Sequence, residues 1–284
     1  MKCKNLAKVS FIGLMLLIES GCSHPESFLH RGNVAFRQRD MSRARGYYLE
    51  AAGHDRTRLV ANYNLARVAY EEGRHEEVLA LLDRTDSLKN TQPFIFYYRG
   101  LCLSALGRQG EAEDVFRSCN KVHPDFPEAW MELARISADK KDFERALDSA
   151  RMALRHPSFI EEATLLIVDV LRVQEKHTEV VRELEGLVVT HPYRIQTHFS
   201  LASSLLQIRD FRGAERRFRK VLSMEASSVE SVLGLSASLE GQLRFTEAEA
   251  LLEQVERNSP PQSPFLGRVR ESRRRIKERA VDEF

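Results

Sequence analysis

The stretch PFIFYYRGLCLSALGRQGEAEDVFRSCNKVHPDF, residues 93–126, decides how this chain is read. Gly100 and Ala112 are small residues in its first and second halves, Phe116 and Cys119 lie about one helical turn apart, and Pro124 closes it. Small side chains let two helix backbones approach, and larger ones fill the space beside them. A proline has no N–H to donate and stops the second helix. The stretch therefore predicts two antiparallel helices joined by a tight turn.

Moved along the chain in steps of 34, the same pattern returns without insertion or deletion in frames 25–58, 59–92, 93–126, 127–160, 161–194, 195–228 and 229–262. Position 8 of these frames holds Gly32, Ala66, Gly100, Ala134, Val168, Ala202 and Ser236. Position 20 holds Ala44, Val78, Ala112, Ala146, Val180, Ala214 and Ala248. Larger residues such as Tyr48, Leu82, Phe116, Leu184, Phe218 and Leu252 recur at position 24. Pro124, Pro157, Pro192 and Pro260 close four of the seven frames. One such hairpin exposes an apolar face, and only stacking on neighbours buries it.

The small residue at position 8, the alanine at position 20 and the closing proline resemble the tetratricopeptide repeat family, over residues 25–262. Trp130 with Leu133-Ala134, and the run Gly107-Arg-Gln-Gly-Glu-Ala112, add to the likeness. The resemblance implies an all-α, right-handed α-solenoid of about seven hairpins that acts by binding another protein. Residues 263–284 read as a basic capping helix and tail, with Phe265, Leu266, Val269 and Ile276 as its apolar set. In this family the first helix of each hairpin lines a groove. Carried over, that gives Leu29, Asn33, Phe36 and Arg37, then Val60, Tyr63, Arg67 and Tyr70, then Phe94 and Tyr97, then Met131 and Arg135. Aromatic and arginine side chains suit such a surface because they combine large area with a polar tip. Asn33 and Asn64 match the carboxylate-clamp members of the family, but Leu29, Phe94 and Tyr98 stand where those members need cations. No clamp is expected.

The first residues read differently. Lys2, Lys4 and Lys8 precede an apolar run from Val9 to Ile18, the layout of a secretory signal over 1–21. Its ten apolar residues fall short of the roughly 20 that span a bilayer. Leu17-Ile18-Glu19-Ser20-Gly21-Cys22 resembles a bacterial lipobox, although Glu19 departs from its pattern. That resemblance implies lipidation of Cys22, a linker over 22–24, and an outer-membrane lipoprotein facing the periplasm. Secretion and inner-membrane anchoring are the alternatives.

Composition narrows the function. With 43 basic and 41 acidic residues the net charge is +2, which does not point to nucleic acid. A basic patch is expected from Arg212, Arg216, Arg217, Arg219 and Lys220 together with Arg273, Arg274 and Arg275, able to meet an anionic glycan, a lipid or an acidic protein. Its other reading is a solvated helix face. No His-Glu-x-x-His, P-loop or Gly-x-Ser-x-Gly motif occurs, and His123, His156 and His191 recur near frame ends as turn residues. Neither an enzyme, a cofactor nor a metal is expected. Cys102 and Cys119 could pair as a disulfide outside the cytoplasm or stand as buried thiols. The functional readings are a scaffold for envelope, secretion, pilus or outer-membrane assembly, and an accessory of polysaccharide export or synthesis.

Overall fold

A computed structural model describes residues 24–85 and 92–282. Fifteen α-helices and no strand occur among the described residues. The first fourteen helices fall into pairs: α1 Pro25–Arg37 with α2 Met41–Ala52, α3 Asp55–Glu71 with α4 His75–Asp83, and α5 Phe94–Ala105 with α6 Gln109–Val122. Then come α7 Pro127–Asp139 with α8 Phe143–Ala153, α9 Ile160–Val173 with α10 His177–Thr190, α11 Ile195–Gln207 with α12 Phe211–Met224, and α13 Val229–Gly241 with α14 Phe245–Asn258. The last helix, α15, is Leu266–Asp282. In every frame the second helix begins at position 17, from Met41 to Phe245. Helices stop at Val122, Ala153, Thr190 and Asn258, just ahead of the four closing prolines.

The turn inside each hairpin explains this regularity. The N–H at position 16 donates to the carbonyl at position 11, as in Asp40 to Ala35 at 3.0 Å, Arg108 to Leu103 at 2.8 Å and Arg244 to Leu239 at 3.0 Å. The position 15 N–H donates to position 12. This six-to-one and five-to-two closure requires a left-handed residue at position 15. All seven frames have one: Arg39, Gly73, Gly107, Lys141, Glu175, Arg209 and Leu243, with φ between 59° and 75°. An L side chain there costs about 1–2 kcal/mol, partly offset in glycine by its larger unfolded-state entropy. Leu243 is 56% exposed, so little burial is lost on removing its side chain. Leu243→Gly should raise Tm by about 2 °C; a lower Tm by calorimetry would contradict the strain assigned to this turn.

The chain divides between Ala129 and Trp130 into two compact bodies. The core of the N-terminal body includes Ala35, Tyr48, Leu65, Val78, Leu82, Ile95 and Cys102. That of the C-terminal body includes Ile167, Leu171, Leu184, Leu201, Phe218, Leu235 and Leu252, and reaches Val269 and Ile276 of α15. Within hairpins, position 8 is matched to position 24. A Cβ on Gly32 would run into the Tyr48 ring, and one on Gly100 into Phe116. Phe218 has Ala202 at position 8 and finds its room instead against Gly234 of the following hairpin. Among the described residues no helix is long and apolar enough to cross a membrane. The expected signal and Cys22 lie outside the described residues.

Candidate functional site

In the N-terminal body α1 and α3 present a cleft of about 490 Å³, lined by His30, Asn33, Phe36, Arg37, Val60, Tyr63, Asn64, Arg67 and Gln92. None of these side chains is acidic. The core builds this surface from behind. Because Gly32 has no side chain, the Tyr48 ring packs directly against α1, and its hydroxyl donates to Asn33 Oδ1 at 2.7 Å. That bond commits the Asn33 carbonyl to the core side and leaves the amide NH2 for the cleft. The Arg67 guanidinium stacks 4.5 Å from the Phe36 ring centroid and 6.0 Å from that of Tyr63. Arg67 Nη1 also donates to Asn64 Oδ1 at 3.4 Å, a long bond. Stacking pre-orients the cation, so less rotamer entropy is lost when a ligand arrives. Burial pushes the Tyr63 hydroxyl up to about 12, with Tyr98 adding to the shift and Arg67 opposing it. The phenol is thus a neutral donor across the physiological range.

The sequence-predicted residues divide into three groups. Asn33, Phe36, Arg37, Tyr63 and Arg67 meet in the cleft, with Val60 beside them. Leu29, Tyr70, Phe94 and Tyr97 do not line it. Leu29 packs on the core. Tyr70 sits edge-on to Tyr98 at 5.1 Å, while Phe94 and Tyr97 lie against Phe126 at 5.0 and 6.0 Å. Met131 and Arg135 belong to the other body. Met131 is a correction: it is 1% exposed, packed among Trp130, Ala153, Phe159 and Ala163, and therefore core. Arg135 is tied to Glu132 and Glu162. His30 and Asn64, both at position 6, and Gln92 were not among the groove columns read from the sequence. A stripe at position 6 beside positions 5 and 9 was the signal available.

The expected basic patch also needs correction. Arg273 of α15 pairs with Glu249, Glu253 and Glu256 at 3.2–3.5 Å. Arg275 reaches Glu240 at 3.1 Å, and Arg274 pairs with Glu278 within the helix at 3.8 Å. Arg273 and Arg275 thus fasten α15 to α14 and α13 and do not extend a patch from α12. On α12, Arg219 pairs with Glu215 at 3.0 Å. Arg212, Arg216, Arg217 and Lys220 form no ion pair among the described residues.

Cys102 and Cys119 are both free and buried. Burial, helped by Glu76 and Glu128 respectively, pushes each thiol up to about 12. Scarcely any thiolate exists at neutral pH, so neither is an activated nucleophile. Among the described residues no group of three or more His, Cys, Asp or Glu side chains could hold a metal ion.

Comparison with known proteins adds the family. A 78-residue stretch is 31% identical to the probable biofilm formation methyltransferase WspC of Pseudomonas aeruginosa, covering 28% of this chain and 18% of that protein. The chain thus spans less than a fifth of that relative's length. The C-terminal part of a TPR repeat-containing protein from Cytophaga hutchinsonii matches 86% of this chain and 98% of its own, with a TM-score of 0.68 at 10% identity. YrrB, described as a TPR protein with an unusual peptide-binding site, matches 65% of this chain and 95% of its own, with a TM-score of 0.52 at 14% identity. At such identities the likeness is one of fold. Tetratricopeptide repeat models match residues 29–93, 93–136, 120–158 and 199–263, well over half of the sequence. With hairpins in step at 34 residues and those matches along them, the chain belongs to the tetratricopeptide repeat family, whose helical arrays serve as scaffolds for binding other proteins.

Proposed function

We propose that this chain is a non-catalytic scaffold of the bacterial cell envelope that captures an extended segment of another protein in the cleft between α1 and α3. The observation that carries the reading is the cleft's lining: two aromatic rings, two arginines, two asparagines and no acid. Asparagine amides suit a peptide backbone, which offers a donor and an acceptor at each residue. Phe36 and Tyr63 suit an apolar side chain, and Arg37 and Arg67 a carboxylate. The segment is therefore acidic with an apolar anchor. YrrB is a fold relative with a peptide-binding site of its own. The envelope part of the proposal rests on the lipobox-like run ending at Cys22, with the lipid in the outer membrane and the hairpins in the periplasm. Assembly of a secretion, pilus or outer-membrane complex is the class of role that fits.

Affinity capture with the full chain tests the cleft. Tyr63→Ala and Arg67→Ala should each reduce recovery of the partner at least about tenfold, the scale of an aromatic or arginine hot spot. Unchanged recovery of every partner would sink the cleft. The anchor is read separately: labelling with a palmitate analogue should vanish in Cys22→Ser, and label that persists would reject lipidation there.

A further inference from the structure

We propose that the exposed face of α12 in the C-terminal body is a second docking surface, made for an acidic helical segment of a partner protein. Most arginines in this half of the chain have carboxylates: Arg194 has Glu161, Arg219 and Arg244 share Glu215, and Arg257 has Glu253. Arg151, Arg155, Arg182 and Arg209 have none among the described residues but are scattered, whereas Arg212, Arg216 and Lys220, with Arg217 beside them, crowd one helix without a carboxylate partner there. Four unpaired like charges within nine residues repel one another, whereas α14 and α15 interleave acids with bases.

Geometry sets what the row would recognise. Residues 212, 216 and 220 are spaced four apart and so form one stripe about 12 Å long. Carboxylates at every fourth residue of a second helix have the same spacing, one turn each. A single small anion would engage at most two of these cations. Beside the row is a cavity of about 390 Å³ lined by Glu185, His198, Leu205, Asp210, Gly213, Arg216, Arg217 and Lys220. Its acids, Glu185 and Asp210, offset much of the positive charge inside it. Asp210 is already engaged, accepting from the Gly213 N–H at 2.9 Å as the cap of α12. Arg216 and Lys220 belong to both cavity and row, so charge recognition sits on the row's outward side, where no carboxylate among the described residues pairs with them. A membrane surface is a poorer match, because helices that lie on bilayers carry large apolar anchors. No large exposed hydrophobic residue lies on α12. The near-balanced charge of the chain weighs against nucleic acid.

The test uses the full chain and fluorescence anisotropy with a labelled alanine-based helical peptide bearing glutamate at every fourth residue. The controls are a peptide of equal composition with its glutamates clustered at one end, phosphatidylglycerol vesicles and single-stranded DNA. The evenly spaced peptide should bind best, and binding should weaken when salt rises from about 50 to 300 mM. Arg212→Glu/Arg216→Glu/Lys220→Glu should weaken it at least about tenfold. Should that triple variant lose its helical circular dichroism, Arg216→Gln/Lys220→Gln gives the same reading with less perturbation. Tyr63→Ala should leave this binding unchanged; a loss there would put the peptide in the cleft of the N-terminal body and overturn the proposal. Failure of the spaced peptide to bind, equal binding of the clustered peptide, preference for vesicles or DNA, or indifference to the α12 variants would overturn it too.

Discussion

Phe116→Ala is expected to destabilise the N-terminal body by about 3–5 kcal/mol, the ordinary cost of emptying an aromatic site in a packed core. Phe116 is fully buried, and its ring lies against Gly100 of the paired helix. The surrounding helices are fixed by the turn at Gly107 and by the preceding hairpin, so they have little freedom to collapse into the hole. Gly100→Ala should cost about 1–3 kcal/mol by overpacking, since backbone and ring would have to separate. The decisive variant is the double one. If Gly100 is there to receive the ring, Gly100→Ala/Phe116→Leu should be more stable than the sum of the single effects predicts, because the smaller side chain leaves room for the methyl group. Denaturant melts of the wild type, Gly100→Ala, Phe116→Leu and the double variant measure the coupling. Strict additivity would mean that the two residues do not share a volume. The same logic applies at Gly32 and Tyr48, where the ring also carries the hydroxyl that orients Asn33 in the cleft.

This pairing shows what could be read from the sequence. Small residues at positions 8 and 20 and larger ones at position 24 are set by van der Waals volume, which residue type reports directly. The 34-residue period followed, and so did the helix ends marked by proline. Position 15 was hidden although it is the strictest backbone requirement in the fold. Only Gly73 and Gly107 advertise it, while Arg39, Lys141, Glu175, Arg209 and Leu243 adopt the same left-handed conformation without a local signal. For the cleft, periodicity gave the face but not the neighbours. Met131 holds the same frame position as Tyr63, yet Trp130 and Phe159 enclose it. The basic end helix misled for a different reason. Apart from Glu278 beside Arg274, the counter-charges are 14 to 39 residues away in sequence, on α13 and α14, and such pairing has no local pattern.

Those distant pairs lead to the second large effect, at the C-terminal cap. Leu266, Val269 and Ile276 of α15 are buried, and full burial of such side chains is worth about 1.5–3 kcal/mol each. The ion pairs around them are partly exposed; pairs of that kind typically contribute about 0–1 kcal/mol. The apolar seam therefore holds α15, and the charges set its register. Val269→Asp, which buries an unpaired carboxylate at a fully buried site, should undock the helix outright. Hydrogen exchange in α15 should then approach that of a free peptide. Arg273→Ala removes the one side chain that touches Glu249, Glu253 and Glu256 together, and should raise the opening of α15 by roughly tenfold without detaching it. Acid should act in the same direction. Bonds from Lys277 and Arg273 hold the Glu249 carboxyl below its ordinary range, and bonds from Arg270 and Arg273 do the same for Glu256. A carboxyl lowered in the folded state contributes stability above its unfolded value and loses it as pH falls through the folded one. Exchange in α15 should accordingly quicken below the ordinary carboxylate range. In Arg273→Ala that pH dependence should flatten, because the depressed carboxyls have lost their shared cation. An unchanged pH profile in that variant would show that Arg273 does not set it.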